Sequence, residues 1–88
     1  MRMRRQTTLT IKKAARRAGV NVHVVQYCIE VGVMEERLTE EDLAELRRVR
    51  RLTSLGINLP GAEVILRMRR RIQELEAEVA QLERDLRL

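Results

Sequence analysis

The last third of the chain, residues 58–88, constrains the fold most, because it predicts a helix too long for a small domain to cover. Its apolar residues recur at alternating spacings of three and four, at Ile65, Met68, Ile72, Leu75, Val79, Leu82 and Leu86. This seam is typical of a coiled coil, and as a helix the segment would be roughly 45 Å long. We therefore expect a two-stranded coiled coil with a second copy of the chain. Packing of the helix back onto its own domain is the alternative.

Charges beside the seam bear on the direction of that pairing. An antiparallel pair sets Arg71 of one copy against Glu78 of the other, whereas a parallel pair opposes Glu78 to Glu83. Exposed ion pairs contribute only about 0.2–1 kcal/mol each, so these charges favour the antiparallel coil and leave the parallel one open.

The composition predicts an all-α protein with one small domain joined to this helix. Its 88 residues include a single aromatic side chain, Tyr27, so the core must be built from Leu, Val, Ile and Ala. The single cysteine, Cys28, permits no internal disulfide, which fits a reducing cytosol. Neither a signal peptide nor a membrane span is recognisable, so we expect a cytoplasmic protein that makes no contact with a membrane.

Helix signals divide the chain into three parts. Residues 1–9 lack apolar periodicity and are expected to form a flexible basic arm. Thr10 then caps a first helix, Gly19 ends it, and Asn21 caps a second helix after a short turn. Two helices joined so tightly predict a helix-turn-helix. A third helix completes the unit of residues 10–57, and the dimerisation helix follows.

The start of the third helix is the most strongly specified. Thr39 and Asp42 have the spacing of a capping box, and Leu38 and Leu43 have that of a hydrophobic staple. The apolar spacing directs one face of this helix inward, formed by Leu43, Leu46, Val49, Leu52 and Leu55. Asn58 is then expected to cap the last helix.

Two charged surfaces are candidates for binding. The outer face of the first helix, the basic face, consists of Lys12, Lys13, Arg16 and Arg17. Like charges four residues apart repel, so phosphates or an acidic protein would relieve this face, and solvation alone is the alternative. An acidic segment consists of Glu35, Glu36, Glu40, Glu41, Asp42 and Glu45. These acids exceed what a helix N-terminus needs, so the segment is either a solvated helix start or a protein-binding surface.

Catalysis is not expected from this chain. Its one histidine, His23, is predicted to be a surface side chain, and its one cysteine is predicted to be a core residue. Neither has partners at the spacing of a catalytic or metal site, and there is no glycine-rich phosphate loop. We therefore expect no cofactor, no metal and no small-molecule substrate.

The order of these elements resembles the MerR superfamily. TIKKAARRAGVNVHVVQYCIEVGVM, residues 10–34, is similar to the helix-turn-helix of that family, and residues 37–66 resemble the helix pair that follows. The terminal helix resembles the family's antiparallel dimerisation coil. Regulators of this family carry a two-stranded wing between the second and third helices. Here only a few residues separate Met34 from Thr39, too few for a hairpin.

The second helix also departs from the MerR pattern. His23 and Gln26 stand where such regulators usually present arginines, and Cys28 replaces the second aromatic after Tyr27. These losses remove side chains that read guanines and clamp phosphates.

A small MerR-like chain without a wing, carrying LGINLPGA at residues 55–62, is similar to the CbpM and DafA family of chaperone modulators. This resemblance implies binding to the J-domain of a DnaJ-type co-chaperone, with an effect on DnaK, and makes the acidic segment the docking surface. The same motif occurs in winged heat-shock repressors of the superfamily, which makes a DNA binder without a wing the alternative. That interpretation places the basic face and the arm on phosphates, with His23, Gln26 and Tyr27 near base edges.

Overall fold

A computed structural model describes residues 8–87 and confirms the all-helical fold. The helices in this range are α1 (Ile11–Ala18), α2 (Val22–Glu30), α3 (Glu40–Ser54) and α4 (Leu59–Leu86). A single antiparallel bridge, between Leu9 and Leu38, is the extent of strand pairing within residues 8–87. No helix in that part of the chain combines the length and the apolar character that crossing a membrane requires.

Each helix begins where the sequence predicts a cap. The side chains of Thr10, Asn21 and Asn58 accept hydrogen bonds from backbone N–H groups of the first helical turn, at 3.1, 2.8 and 2.8 Å. At the start of α3, the backbone N–H of Thr39 donates to Asp42 Oδ2 at 2.9 Å, as the capping box predicts. These bonds satisfy backbone donors that helix formation leaves without partners.

The core collects one apolar face from every helix. Val25 of α2, Leu46 and Val49 of α3 and Leu66 of α4 are each at most 1% exposed. The buried face of α1 consists only of alanines, Ala14, Ala15 and Ala18. Because alanine adds so little bulk, α1 can lie close to both α2 and α3.

Leu55 corrects the expected inward face of α3, because its side chain is 76% exposed. The helix ends at Ser54, and the chain then turns through Gly56 at φ 93°. A residue beyond the last helical turn no longer follows the helical spacing, so the apolar pattern does not determine the direction of the Leu55 side chain.

Leu9 corrects the expected boundary of the flexible basic arm. Its side chain is only 8% exposed, and its backbone N–H donates to the carbonyl of Leu38 at 2.9 Å. Leu9 therefore belongs to the folded domain. Residues 1–7, the rest of the predicted arm, lie outside the described residues.

The last helix, α4, has a packed start and a projecting remainder. Ala62 and Leu66 lie one turn apart and are each 1% exposed. Ile65 is half-buried, and the later seam residues are exposed, from 43% at Leu75 to 82% at Leu86. The chain's own domain therefore does not cover the seam.

Candidate interaction surfaces

The basic face of α1 is not uniform. Lys12, Lys13 and Arg16 are exposed, whereas Arg17 reaches across to α3. Its two terminal nitrogens donate to both carboxylate oxygens of Glu40, at 2.8 and 3.0 Å. The hydrogen bond from Arg17 lowers the pKa of Glu40, and the same pair raises the pKa of Arg17. Arg17, one of the four side chains predicted to contact phosphate, is thus already paired with a carboxylate.

Arginines of α3 lie at the C-terminal end of α1. Arg47 Nη2 donates to the carbonyl of Arg17 at 3.4 Å. The guanidinium of Arg50 lies against Gly19, so that a Cβ at this position would come within 2.7 Å of Nη1. Gly19 also has φ 75°, a conformation that favours glycine. Positive charge at this end of α1 complements the helix dipole, which gives Arg47 and Arg50 a structural role.

The acidic segment separates into two groups. Glu40 is paired with Arg17, Asp42 caps α3, and Glu45 forms an ion pair of 3.0 Å with Arg48. Three acids are exposed and have no hydrogen-bond or ion-pair partner within residues 8–87; we call Glu35, Glu36 and Glu41 the exposed acidic surface. The sequence showed the cluster of acids, and Arg48 lies three residues from Glu45 on the same helix, but the partner of Glu40 emerges only from the fold.

The exposed part of α2 carries no positive charge. His23, Gln26 and Glu30 are exposed, and Val22–Glu30 contains neither lysine nor arginine. Tyr27, predicted to lie near base edges with His23 and Gln26, is half-buried, and its hydroxyl donates to Glu63 Oε1 of α4 at 3.0 Å. Partial burial, reinforced by Glu63, raises the pKa of Tyr27. The Tyr27 hydroxyl is thus used in a hydrogen bond between α2 and α4.

The α2–α3 connection, residues 31–39, occupies the place where the MerR resemblance implies a wing. The backbone N–H groups of Val33 and Met34 both donate to the carbonyl of Cys28, at 2.9 and 3.1 Å. From α4, Arg67 donates to the carbonyl of Val31 and Arg70 to that of Val33, each at 2.5 Å. No sequence signal singles out these two arginines, since their partners lie 36 and 37 residues away.

An apolar groove runs between α3 and the early part of α4. Its apolar lining consists of Leu52, Ile65, Met68 and Ile72, with Arg48, Arg69 and Glu76 at its edges. A second shallow depression continues it along α4 past Leu75 and Val79 to Glu83. The predicted seam therefore forms one continuous apolar surface that begins beside α3.

Comparison with known proteins agrees with this arrangement. Residues 9–84 match the family described as MerR HTH family regulatory protein. The chain belongs to the MerR HTH family. No curated protein and no solved structure matches it.

Within this MerR-family chain, α1 and α2 correspond to the predicted helix-turn-helix, and the superfamily resemblance is confirmed. The family match begins at Leu9, the residue that the structure places in the folded domain. Between α2 and α3, residues 31–39 form turns and one bridge rather than a two-stranded wing.

The one cysteine of this MerR-family chain, Cys28, is buried and free. Burial raises the pKa of the Cys28 thiol to about 11, so at neutral pH it is protonated and a poor nucleophile. Within residues 8–87 no three His, Cys, Asp or Glu side chains gather as a metal site. The candidate binding surfaces in this part of the chain are the charged and apolar ones described above.

Proposed function

We propose that this MerR-family chain acts by binding protein, as a modulator or assembly factor of the DnaJ–DnaK chaperone system. It would dock on a DnaJ-type co-chaperone through the exposed acidic surface. The observation that carries this proposal is the charge of the second helix: α2 exposes His23, Gln26 and Glu30 and has no cation. In a helix-turn-helix DNA reader, that helix lies in the major groove, between two phosphate backbones.

The electrostatics of the neighbouring residues support the same proposal. The exposed acidic surface lies in the connection and the first turn of α3, directly after the acidic end of α2. Duplex DNA carries one negative charge per about 1.7 Å of axis, so it would be repelled here. A J-domain presents a basic helix to DnaK, and this charge complements Glu35, Glu36 and Glu41.

The chain is further proposed to act as an antiparallel dimer through the seam. Six of the seven seam residues are at least 43% exposed, and a soluble monomer rarely leaves so long an apolar stripe uncovered. An antiparallel pair with Arg71 opposite Glu78 also sets Ile72 opposite position 77, between Leu75 and Val79 of the other copy. The acidic late part of each α4 then lies near Arg48 and Arg69 at the groove of the partner.

The direct test is a titration of the full chain with the isolated J-domain of a DnaJ-type co-chaperone at low salt. The variant carries Glu35→Lys, Glu36→Lys and Glu41→Lys, which avoids the acids that cap α3 or pair with arginines. Charge reversal should weaken binding by at least about tenfold, and the difference should shrink as salt rises. Equal affinity of the variant and the natural chain would reject the docking surface.

A matched control changes charge on the basic face of α1. Lys12→Gln, Lys13→Gln and Arg16→Gln remove three exposed cations of α1 without touching the Arg17–Glu40 pair. This control should bind the J-domain no more weakly than the natural chain does. A loss of affinity in the control would mean that the basic face, and not the acidic surface, meets the co-chaperone.

DNA binding is the second candidate, and the exposure of Lys12, Lys13 and Arg16 favours it. In that case the chain shifts heat-shock operon DNA at low salt, and the three glutamine substitutions abolish the shift. About three phosphate contacts would give a log–log salt slope near −3. A shift of DNA together with no binding to the J-domain would replace the first proposal with this one.

A further inference from the structure

The α2–α3 connection has little regular structure of its own. The amides of Val31 and Gly32 still bond to carbonyls of α2, those of Val33 and Met34 share one acceptor, and the carbonyl of Leu38 accepts the Leu9 amide. Glu35 and Glu36 lie between these points and are exposed. Residues 35–37 make no backbone–backbone bond within residues 8–87, so this stretch depends on other groups for its conformation.

The first turns of α4 supply those groups. Arg70 donates to the Val33 carbonyl, immediately before the exposed acidic surface, and Arg67 donates to the Val31 carbonyl at the end of α2. Both arginines follow Leu66, whose burial anchors this part of α4 on the core. Each bond joins a charged donor to a backbone carbonyl, which is stronger than the bond between two neutral groups.

Arg67 is itself held in place by its neighbours. Its guanidinium forms an ion pair of 2.9 Å with Glu63, one turn earlier on α4. The other oxygen of Glu63 accepts the Tyr27 hydroxyl of α2 at 3.0 Å. The chain of contacts from Tyr27 through Glu63 and Arg67 to Val31 therefore ties α4 to the second half of α2 and to its end.

We propose that Arg67 and Arg70 are positioning residues that hold the α2–α3 connection in place of a wing, so that α4 controls how Glu35 and Glu36 are presented. The connection keeps its conformation only while the start of α4 is docked. Perturbation of α4 then changes the proposed partner surface without any contact between α4 and the partner. This last consequence rests on the proposed function, whereas the positioning of the connection does not.

The test replaces Arg70 by methionine in the full chain. Methionine keeps an unbranched stem and a good helix propensity but has no N–H donor. The matched control is Arg84→Met, because Arg84 is an exposed arginine of the same helix, loses the same charge and bonds only with Gln81 on its own helix within residues 8–87. Hydrogen exchange is followed at the amides of Leu9, Val33 and Met34, with amides of α1 and α3 as internal references.

Arg70→Met should speed exchange at Val33 and Met34 by about tenfold, the factor for a lost bond of roughly 1.4 kcal/mol. Arg84→Met should leave these rates unchanged. Equal rates in the two variants would overturn the proposal, and so would a uniform rise across every helix, which reports global unfolding.

Titration with a purified J-domain then separates the positioning of the connection from the control of the acidic surface. Faster exchange with unaltered J-domain affinity would overturn the control of the acidic surface. Faster exchange in a chain whose natural form binds no J-domain would keep the positioning role and reject the proposed function.

Discussion

Replacing Leu66 by alanine tests whether the start of α4 belongs to the core of the domain. Leu66 is 1% exposed, and Ala62, one turn earlier, is equally buried. Truncation leaves a cavity at the junction of α4 with the other helices. The matched substitution is Ile72→Ala, in the same helix but 53% exposed, where no such cavity can form in the single chain.

The expected magnitudes differ enough to be separated. A fully buried leucine truncated to alanine costs about 2 to 5 kcal/mol of unfolding free energy. The whole domain has roughly 4 to 13 kcal/mol available, so Leu66→Ala removes a large part of it. Ile72→Ala should change the stability of a monomer by no more than about 0.5 kcal/mol, as exposed substitutions usually do. In a dimer it also weakens association, so its effect grows with protein concentration.

Urea unfolding followed by far-ultraviolet circular dichroism measures both effects, since the chain has no tryptophan and a single tyrosine. The titration is repeated at two protein concentrations about 100-fold apart, which separates folding from association. At the lower concentration Leu66→Ala should lose about 2 to 5 kcal/mol of unfolding free energy and Ile72→Ala no more than about 0.5 kcal/mol. Equal losses in the two variants at that concentration would refute the assignment of Leu66 to the core and of Ile72 to an uncovered seam.

Two further predictions concern ionisable groups. Because Arg17 lowers the pKa of Glu40, this pair stabilises the fold fully above the ordinary carboxyl pKa of 4.5 and loses that effect as pH falls through the lowered value. Urea unfolding of Glu40→Gln should accordingly show a weaker loss of stability below pH 4.5 than the natural chain, and an identical acid dependence would contradict the pairing. Because burial raises the pKa of the Cys28 thiol to about 11, a thiol reagent at pH 8 should label the native protein only as fast as the domain opens. Labelling at the rate of a free cysteine would place Cys28 outside the core.

Local chemistry made the helix starts predictable. Thr10, Asn21 and Asn58 cap helices through groups two or three residues away, so both partners of each capping bond lie close together in the sequence. Thr39 and Asp42 form such a pair as well. The apolar spacing likewise identified the inward face of α3 as far as the helix extends.

Contacts between distant parts of the chain were not predictable in this way. Leu9 pairs with Leu38, and no signal near Leu9 indicates a partner so far along the chain. The same holds for Arg17 with Glu40, 23 residues apart, which changed the membership of both charged surfaces. Leu55 was misplaced for a different reason, because a spacing rule cannot foresee where the helix ends.

The seam is the feature that the sequence described best. Its residues from Met68 to Leu86 are all exposed, and Ile65 is half-buried in the lining of the groove. Periodicity identifies such a stripe without knowledge of the fold. It cannot identify what covers the stripe, so pairing with a second copy stays a prediction.

Affinity capture of the full chain from a nuclease-treated native lysate distinguishes a chaperone partner from a DNA partner in a single experiment. Retained proteins and any protected nucleic acid are identified from the same sample, alongside the variant with Glu35→Lys, Glu36→Lys and Glu41→Lys. We expect recovery of a DnaJ-type co-chaperone in near-equal amount by the natural chain and its loss from the variant. Recovery of a protected DNA fragment without a chaperone would contradict the chaperone role and assign the function to the basic face of α1.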